Sequence, residues 1–359
     1  MSWKDKSTHD RLAHIGTFVA QTTNLLNAKA VLRRLYRNFR LHPQAGCAFV
    51  VGPTGAGKST VANDFLEDIR EEYRGMLKNG DDLTIASNRD YAHTMSVTFE
   101  RPGHGLVRPV LKVEVQASTR RALFMDVLLA IGIKVSSRAS YGQMMSIARH
   151  QINEQGIQLI IFDDCHDIAD GLLSSPHHAA NVIKALIKQA RVQVVCMGLP
   201  HAADLPLAND ELESLKDEAH LMQPFDLDLG EDSEYLEFLS ALSDWMPFDQ
   251  KLALDADAIA MGLFKASDGY VGTLVKLVTK AAEVAIDSGA DVMTMSHLAT
   301  AYARKTNAPA WENPFENGTL DVEGFRAAKS TRRKAQMSEA SRGRKARAER
   351  KKNALSKQA

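Results

Sequence analysis

"CAFVVGPTGAGKST", residues 47–60, decides the fold, because it joins an apolar run to a helical run through a glycine-rich loop. The loop fits the pattern G-x-x-x-x-G-K-[ST], in which glycines let successive backbone N–H groups point at phosphate oxygens. The dipole at the start of the following helix attracts the same anion. A nucleotide-binding loop is therefore predicted, formed by Gly52, Pro53, Thr54, Gly55, Ala56, Gly57, Lys58, Ser59 and Thr60.

"IIFDDCHD", residues 160–167, is a second apolar run, and it stops at two carboxylates. Taken alone, it is either a buried strand ending at a magnesium site or an acidic turn after a core strand. The phosphate loop upstream favours the first interpretation. The cofactors are then ATP and Mg²⁺, with the ion held by the Ser59 hydroxyl and the Asp163 carboxylate.

Two residues are predicted to be catalytic. Lys58 would reach the β- and γ-phosphates of ATP, and Asp164 would orient the attacking water. Asp164 stands where the usual residue is Glu, so its carboxylate reaches one methylene less far. Because a displacement of about 1 Å can cost about 100-fold in rate, an ATPase with slow turnover is expected.

Together with the first run, three apolar runs alternate with helical stretches: "PVLKVEV" (109–115), "IQLIIFDD" (157–164), which contains the second run, and "VQVVCMG" (192–198). Alternating strands and helices predict a mostly parallel, three-layer α/β sheet. A polar stretch at about 77–105 is expected to be a loop or hairpin insertion. The predicted organisation has four parts: an N-terminal helical segment (1–45), an α/β nucleotide-binding domain (46–225), a small helical lid domain (226–308) and a basic tail (309–359) expected to be disordered.

The net charge of zero hides an asymmetry, because 13 of the 44 Lys and Arg but only 2 of the 44 Asp and Glu lie in residues 326–359. An acidic globule with a basic tail indicates a polyanionic or acidic partner for the tail. The N-terminus is too polar for a secretory signal, and no apolar run approaches the roughly 18 residues of a membrane span. The three scattered cysteines are typical of core residues in a reducing cytosol.

The chain resembles the TniB/TnsC group of AAA+ ATPases, which accompany the DDE transposases of bacterial transposons. The resemblance runs over residues 10–305. Besides the phosphate loop and "LIIFDDCHDI" (159–168), it rests on "HDRLAHIGTF", "PVLKVEVQASTRRALFMDVLLAIGI", "VQVVCMGLPHA" and "SDGYVGTLVKLVTKAAEVAIDSGAD". It implies an AAA+ P-loop fold and a cytoplasmic bacterial protein that acts on DNA. Such a protein assembles as a homo-oligomeric ring or filament on double-stranded DNA and recruits or activates the transposase. A target-selection protein or an RNA-guided complex is a further partner of such proteins.

Three departures from the family pattern concern hydrolysis. Relatives carry an arginine after the sensor 1 strand, yet no arginine occurs from residue 192 to 303. The lid position that commonly holds a second arginine is Thr273, and Leu199 stands where sensor 1 is often polar. Lys216 and Lys276 are possible substitutes, although lysine lacks the bidentate fork. An arginine finger contributes about 10³ to 10⁵ in rate, so these departures also favour slow turnover, unless an arginine acts in trans (Arg120, Arg121 or Arg138).

The resemblance also implies a DNA contact at Thr119, Arg120 and Arg121, from which related proteins approach the DNA backbone. Such contacts would be independent of sequence and sensitive to salt. The alternative is a solvated helix face. The tail has no aromatic residues for base stacking, so it would follow phosphates or dock on the transposase, or else only aid solubility.

Two rival functions stay open. One is another AAA+ DNA factor, such as a helicase loader or a repair ATPase. The other is a stand-alone P-loop kinase, against which the helical domain and the basic tail argue.

Overall fold

The computed structural model describes residues 2–41, 44–78, 84–85, 94–96, 98–101, 103, 105–115, 120–136, 138–165, 176–230, 232–307 and 309–316. The strands in these ranges are β1 (Cys47–Val51), β2 (Thr84–Ile85), β3 (Thr94–Ser96), β4 (Phe99–Arg101), β5 (Gly105–Val107), β6 (Val110–Glu114), β7 (Leu159–Asp163), β8 (Gln193–Gly198) and β9 (Lys216–Leu221).

The α-helices in the same ranges are α1 (Thr8–Ile15), α2 (Thr23–Leu41), α3 (Lys58–Lys78), α4 (Arg120–Ala130), α5 (Tyr141–Glu154), α6 (Pro176–Ala185), α7 (Asp210–Leu215), α8 (Glu234–Trp245), α9 (Asp257–Ser267), α10 (Val271–Asp287) and α11 (Met295–Thr306). A π-helical turn, Leu186–Ala190, continues α6, and 3-10 helices cover Trp3–Asp5, Pro200–Ala208 and Ala310–Glu312. None of the helices in the described ranges combines the length and the hydrophobicity needed to cross a membrane.

The main sheet has the strand order β3-β6-β7-β8-β1-β9. All of its neighbouring strands are parallel except β3, which pairs antiparallel with β6. The prediction of a mostly parallel α/β sheet is confirmed. The sequence at 77–105 contributes the edge strand β3 and an antiparallel hairpin of β4 and β5, so the predicted hairpin insertion is present there.

Both faces of the sheet are covered, because its central strands alternate between two hydrophobic clusters. In β1, Phe49 belongs to one cluster and Val50 to the other. In β7, Phe162 and Ile161 divide in the same way. Successive side chains of a strand point to opposite faces, so these continuous apolar runs fill two layers at once. The three-layer arrangement follows from this double burial.

The chain divides into two compact units. The sheet unit comprises Thr17–Pro224 and Tyr270–Thr273, and the helical unit comprises Met1–Gly16, Phe225–Gly269 and Leu274–Ala359. The first 16 residues therefore cluster with the later helices, whereas the remainder of the predicted N-terminal segment clusters with the sheet. The four domain boundaries proposed from sequence stay predictions. Of the predicted tail, residues 309–316 are described, and they form a 3-10 helix followed by the buried Asn313 and Phe315, whereas the residues after 316 lie outside the described part of the chain.

The helical unit has its own core, which is built around aromatic residues. Tyr235 is buried, donates its hydroxyl to the Ala260 carbonyl at 2.7 Å, and meets the Phe264 ring edge-on at 5.4 Å between centroids. Trp245 of α8 stacks on His14 of α1 with 4.6 Å between ring centroids. The helical periodicity predicted after residue 226 is thus realised in α8 to α11.

Candidate functional site

The predicted phosphate loop lies between the buried strand β1 and the start of α3. Two loop residues, Gly55 and Gly57, have left-handed φ angles of +82° and +94°. The Gly55 carbonyl accepts a 2.8 Å hydrogen bond from the Gly272 amide, and both residues belong to the sheet unit. A Cβ placed on Gly55 would lie 2.5 Å from Thr273 Oγ1. Glycine at position 55 is therefore required both by backbone conformation and by space.

Gly55→Ala is expected to distort the loop. A left-handed non-glycine residue costs about 1–2 kcal/mol, and the clash with Thr273 adds to that cost. We expect ATP binding to weaken at least about tenfold, measured by titration calorimetry. Gly75→Ala is the matched control, because Gly75 lies within α3 and nothing surrounds its Cβ position within 4 Å. This control should stabilise the protein by about 0.5–1 kcal/mol. Unchanged ATP affinity in Gly55→Ala would contradict the proposed loop geometry.

The backbone amides at the start of α3 are suited to an anion. The first helical hydrogen bond at the start of α3 is donated by the Val61 amide to the Gly57 carbonyl, at 3.0 Å. In the described part of the chain, no backbone carbonyl accepts from the amides of Gly57, Lys58 or Ser59. Unused N–H groups at a helix start point along the axis and carry its positive dipole. This loop can therefore hold phosphate oxygens.

Lys58 is the cation of the loop. Its ammonium donates to the carbonyls of Gly52 at 2.8 Å and of Pro53 at 3.0 Å, so one of its three N–H bonds is left for another acceptor. The side chain is buried, and burial lowers its pKa, whereas the charges of Asp163 and Asp164 oppose that shift. The predicted phosphate lysine and the two predicted acids thus lie close enough to interact.

Asp163 ends β7 and is only 2% exposed. Its Oδ2 forms an ion pair with Lys112 Nζ at 3.1 Å, and its Oδ1 accepts from the Asp164 amide at 3.1 Å. Lys112 comes from β6, the neighbouring parallel strand, and also donates to Asn63 Oδ1 of α3 at 3.2 Å. Two buried charges are stable only when they are paired and hydrogen-bonded. Lys112 therefore supplies the countercharge that allows a carboxylate at this depth.

Lys112 was not among the residues predicted for the site. The sequence does contain a signal for it, because "PVLKVEV" places one lysine within an otherwise apolar strand pattern. A lysine is almost never fully buried unless it is paired. Such a lysine indicates a buried carboxylate nearby, but the sequence does not say that the carboxylate is Asp163.

The oxygen donors at this edge of the sheet fit Mg²⁺. The Ser59 hydroxyl is exposed at the second residue of α3, and Asp163 offers a carboxylate whose Oδ1 accepts only a backbone amide. Mg²⁺ prefers one or two carboxylates together with substrate phosphates and water rather than a full protein cage. Among the described residues there is no group of three or more His, Cys, Asp or Glu side chains able to bind a metal.

Asp164 is exposed and has a left-handed backbone, with φ of +58°. Asp tolerates this conformation better than most residues. The turn places Asp164 after the buried strand, and its charge acts on Lys58. Its predicted role in positioning water stays a prediction.

Thr273 and Lys216, two positions at which the sequence departs from the expected arginine pattern, lie at opposite ends of the sheet. Thr273 lies beside Gly55 of the phosphate loop. Lys216 instead begins β9 and pairs in register with Cys47, at the opposite end of β1 from the loop. It forms an ion pair with Glu213 at 3.7 Å. Lys216 therefore cannot serve the nucleotide of its own subunit, and Lys276 is an exposed residue of α10.

Of the three residues predicted to contact DNA, Arg121 is the one whose side chain lies in the described part of the chain. Thr119 lies outside the described residues. Arg120 begins α4, but its side chain is likewise outside them. Arg121 is half-buried and donates through Nη1 to the Ala139 carbonyl at 2.8 Å. A DNA-binding role for these residues stays a prediction.

Comparison with known proteins agrees with this architecture. Residues 41–205 match a protein family described as "AAA domain". No curated protein is significantly similar to the chain in sequence.

Several solved structures share the fold. Orc2 from Aeropyrum pernix, in ADPNP and ADP complexes, is 12% identical, with a TM-score of 0.54 over 86% of this chain and 72% of that one. Orc1 from A. pernix, in complex with DNA, is 15% identical, with a TM-score of 0.54 over 80% of this chain and 66% of that one. Cdc6p from Pyrobaculum aerophilum is 12% identical, with a TM-score of 0.51 over 79% and 68%. Residues 41–205 are therefore similar to an AAA domain, and the chain has the α/β AAA+ fold seen in these Orc and Cdc6 structures.

Proposed function

We propose that this protein is an ATP-dependent regulator of DNA transposition. It assembles on double-stranded target DNA and recruits or activates a DDE transposase. The observation that carries the nucleotide-dependent part is the geometry of the phosphate loop between β1 and α3, in which Gly55 and Gly57 are left-handed and Lys58 is held by two loop carbonyls. The transposition part is supported by the resemblance of residues 10–305 to the TniB/TnsC group.

Each residue of the site has its own role in nucleotide binding. The free amides of the loop and the helix start receive the phosphates, and Lys58 turns its remaining N–H bond toward them. Ser59 and Asp163 would hold the magnesium ion, which when bound would neutralise phosphate charge. Lys112 pairs with the Asp163 carboxylate and fixes its position. Preorganised donors and charges of this kind bind a triphosphate without rearrangement of the sheet.

Because turnover is slow, ATP binding would drive assembly on DNA, and hydrolysis would later return the protein to its unassembled state. Asp164 is a short acid, and no arginine occurs between residues 192 and 303. Both features reduce stabilisation of the hydrolytic transition state while leaving the binding loop intact. A protein of this kind stays assembled on DNA long enough for a transposase to arrive.

Asp164→Glu is expected to raise ATP turnover by about 10- to 100-fold, because it restores the reach of the usual glutamate. Steady-state phosphate release at saturating ATP measures the effect, with Asp164→Asn as the control that removes the charge. Turnover that stays at the wild-type level in Asp164→Glu would show that the missing arginines limit hydrolysis instead.

The alternative is a different AAA+ DNA factor, such as a helicase loader or a repair ATPase. Its support is that one structure sharing this fold, A. pernix Orc1, is described in complex with DNA. A stand-alone kinase is less well supported, since it would need an acceptor site beside the phosphate loop.

Capture on immobilised duplex DNA separates these functions. We expect the cognate DDE transposase to be retained only when the protein and ATP are both present. Retention of a replicative helicase instead would favour the loader. Equal retention of the transposase without the protein or without ATP would contradict the proposal.

A further inference from the structure

A cavity of about 610 Å³ opens on the sheet unit at the edge opposite the phosphate loop. It lies between the second half of α5 and the π-helical turn Leu186–Ala190, which precedes the amino end of β8. The phosphate loop follows the carboxyl end of β1, and β1 and β8 are parallel. The two sites are therefore at opposite ends of the sheet. The polar residues lining this cavity, called the α5 groove below, are Ser146, Arg149, His150, Asn153, Gln189 and Arg191.

The α5 groove is lined almost entirely by side chains that can donate hydrogen bonds. Two are guanidinium groups, two are amides, one is an imidazole and one is a hydroxyl. Among the described residues that line it, none is acidic. In the part of the chain that the structure describes, no carboxylate forms an ion pair with Arg149, His150 or Arg191. By contrast, the nearby Lys184 and Lys188 both pair with Glu211.

The backbone at Arg191 is a second, independent feature. Within the described residues, four non-glycine positions have a positive φ: Asp164, Asp268, Asn307 and Arg191. The first three are Asp or Asn, which tolerate this conformation, whereas Arg191 at +57° is the exception. It directly follows a π-helical turn, a feature often found at functional sites. Glycine is the usual residue in this conformation, and here the position instead carries an arginine that lines the cavity.

The chemistry of the groove favours phosphate groups over a protein surface. Stable protein interfaces are centred on aromatic or other large apolar residues. Here the only apolar lining residue among those described is Ala190. Protein–DNA interfaces are polar and positively charged, and most of their hydrogen bonds go to phosphate oxygens. Because no Phe, Tyr or Trp is among its described lining residues and His150 is the single ring, the groove suits a duplex backbone better than single strands.

We infer that the α5 groove binds backbone phosphates of double-stranded DNA, chiefly through Arg149 and Arg191. This surface is distinct from Thr119, Arg120 and Arg121, and it would give the protein a second, sequence-independent contact with duplex DNA. The inference rests on the proposed association with duplex DNA, so the test must separate a failure of this groove from a failure of that association.

The test compares three full-length proteins by fluorescence anisotropy with a labelled duplex, with ATP present, over a range of salt concentrations. The proteins are the wild type, Arg149→Ala/Arg191→Ala and Arg70→Ala/Arg74→Ala. Arg70 and Arg74 lie on α3 and form ion pairs with Glu67 and Glu71, so the control removes the same charge from another surface.

The groove variant should bind at least about tenfold more weakly at 50 mM salt. The slope of log K against log salt should fall in magnitude by about 1.8, which is about 0.9 for each lost phosphate contact. The control should match the wild type. Equal affinity and equal slope in the groove variant and the wild type would overturn the groove and leave the proposed function intact. A wild type that does not bind duplex DNA would overturn both.

Arginine modification gives a second readout, at the level of the individual side chains. Phenylglyoxal labelling followed by peptide mass spectrometry should show Arg149 and Arg191 protected by duplex DNA, with Arg70 and Arg74 labelled equally in its presence and absence. Labelling of Arg149 and Arg191 that DNA does not change would contradict a direct contact.

Discussion

Lys58→Ala is expected to weaken ATP binding by about 3 kcal/mol or more, which is about 100-fold in Kd. The reason is that the Lys58 ammonium lies in the phosphate loop, held by the carbonyls of Gly52 and Pro53, with one N–H bond left for a phosphate. Because the proposed assembly on duplex DNA depends on ATP, this variant should also fail to form oligomers on DNA. Calorimetric titration with ATP measures the first effect, and sedimentation with duplex DNA measures the second.

Lys134→Ala is the control for that experiment, because Lys134 is exposed in the segment after α4 and takes no part in the site. It should bind ATP and assemble like the wild type. Thermal unfolding of both variants in the absence of nucleotide should match the wild type closely, since Lys58 makes no ion pair with a carboxylate in the described part of the chain. A Lys58→Ala protein that binds ATP normally would refute the assigned site.

Lys112→Met is expected to destabilise the sheet unit by about 3–5 kcal/mol, because it leaves the buried Asp163 carboxylate without its countercharge. Saturating Mg²⁺ and ATP should restore part of that loss, since a bound ion supplies positive charge at the same carboxylate and a ligand stabilises the state that binds it. Thermal unfolding with and without Mg²⁺ and ATP measures both effects.

The double variant Lys112→Met/Asp163→Asn separates a charge effect from a packing effect. Removing both partners of a buried pair is often close to neutral for stability. The double variant should therefore recover most of the stability lost in Lys112→Met, yet it should lose the dependence of ATP binding on Mg²⁺. A Lys112→Met protein as stable as the wild type would contradict the role assigned to the pair. So would a double variant that is less stable than Lys112→Met.

Much of the fold could be predicted because its signals are local. The phosphate loop was identified by spacing within nine residues, and the central strands β1, β7 and β8 were identified by continuous apolar runs. Strands buried on both faces give such runs, and the helices of the second unit show clear helical periodicity. The predicted loop residues lie where a strand meets a helix, as the motif requires.

Features formed by contacts distant in sequence could not be predicted. The strand β9 pairs with β1, but its sequence "KDEAHL" alternates between half-buried and exposed positions and contains three charged residues. An edge strand of this kind has little apolar signal, so its presence depends on the partner strand. The pairing of Lys112 with Asp163 likewise depends on the register between β6 and β7, which no local pattern specifies.

The backbone conformation of single residues was also beyond prediction. The sequence around Arg191 does not predict its left-handed φ, because that conformation is set by the π-helical turn before it and by β8 after it. The same is true of the first 16 residues. Their helix α1 was predicted, whereas their clustering with α8 depends on Trp245 stacking on His14.

Electron microscopy of the wild-type protein with duplex DNA, in the presence and absence of ATP, tests the central claim most directly. The claim is that the site around Lys58 and Asp163 is an ATP-dependent switch for assembly on DNA. We predict ring or filament oligomers on the duplex with ATP, and none when ATP is omitted. Assembly that is the same with and without ATP, or no assembly under either condition, would contradict it.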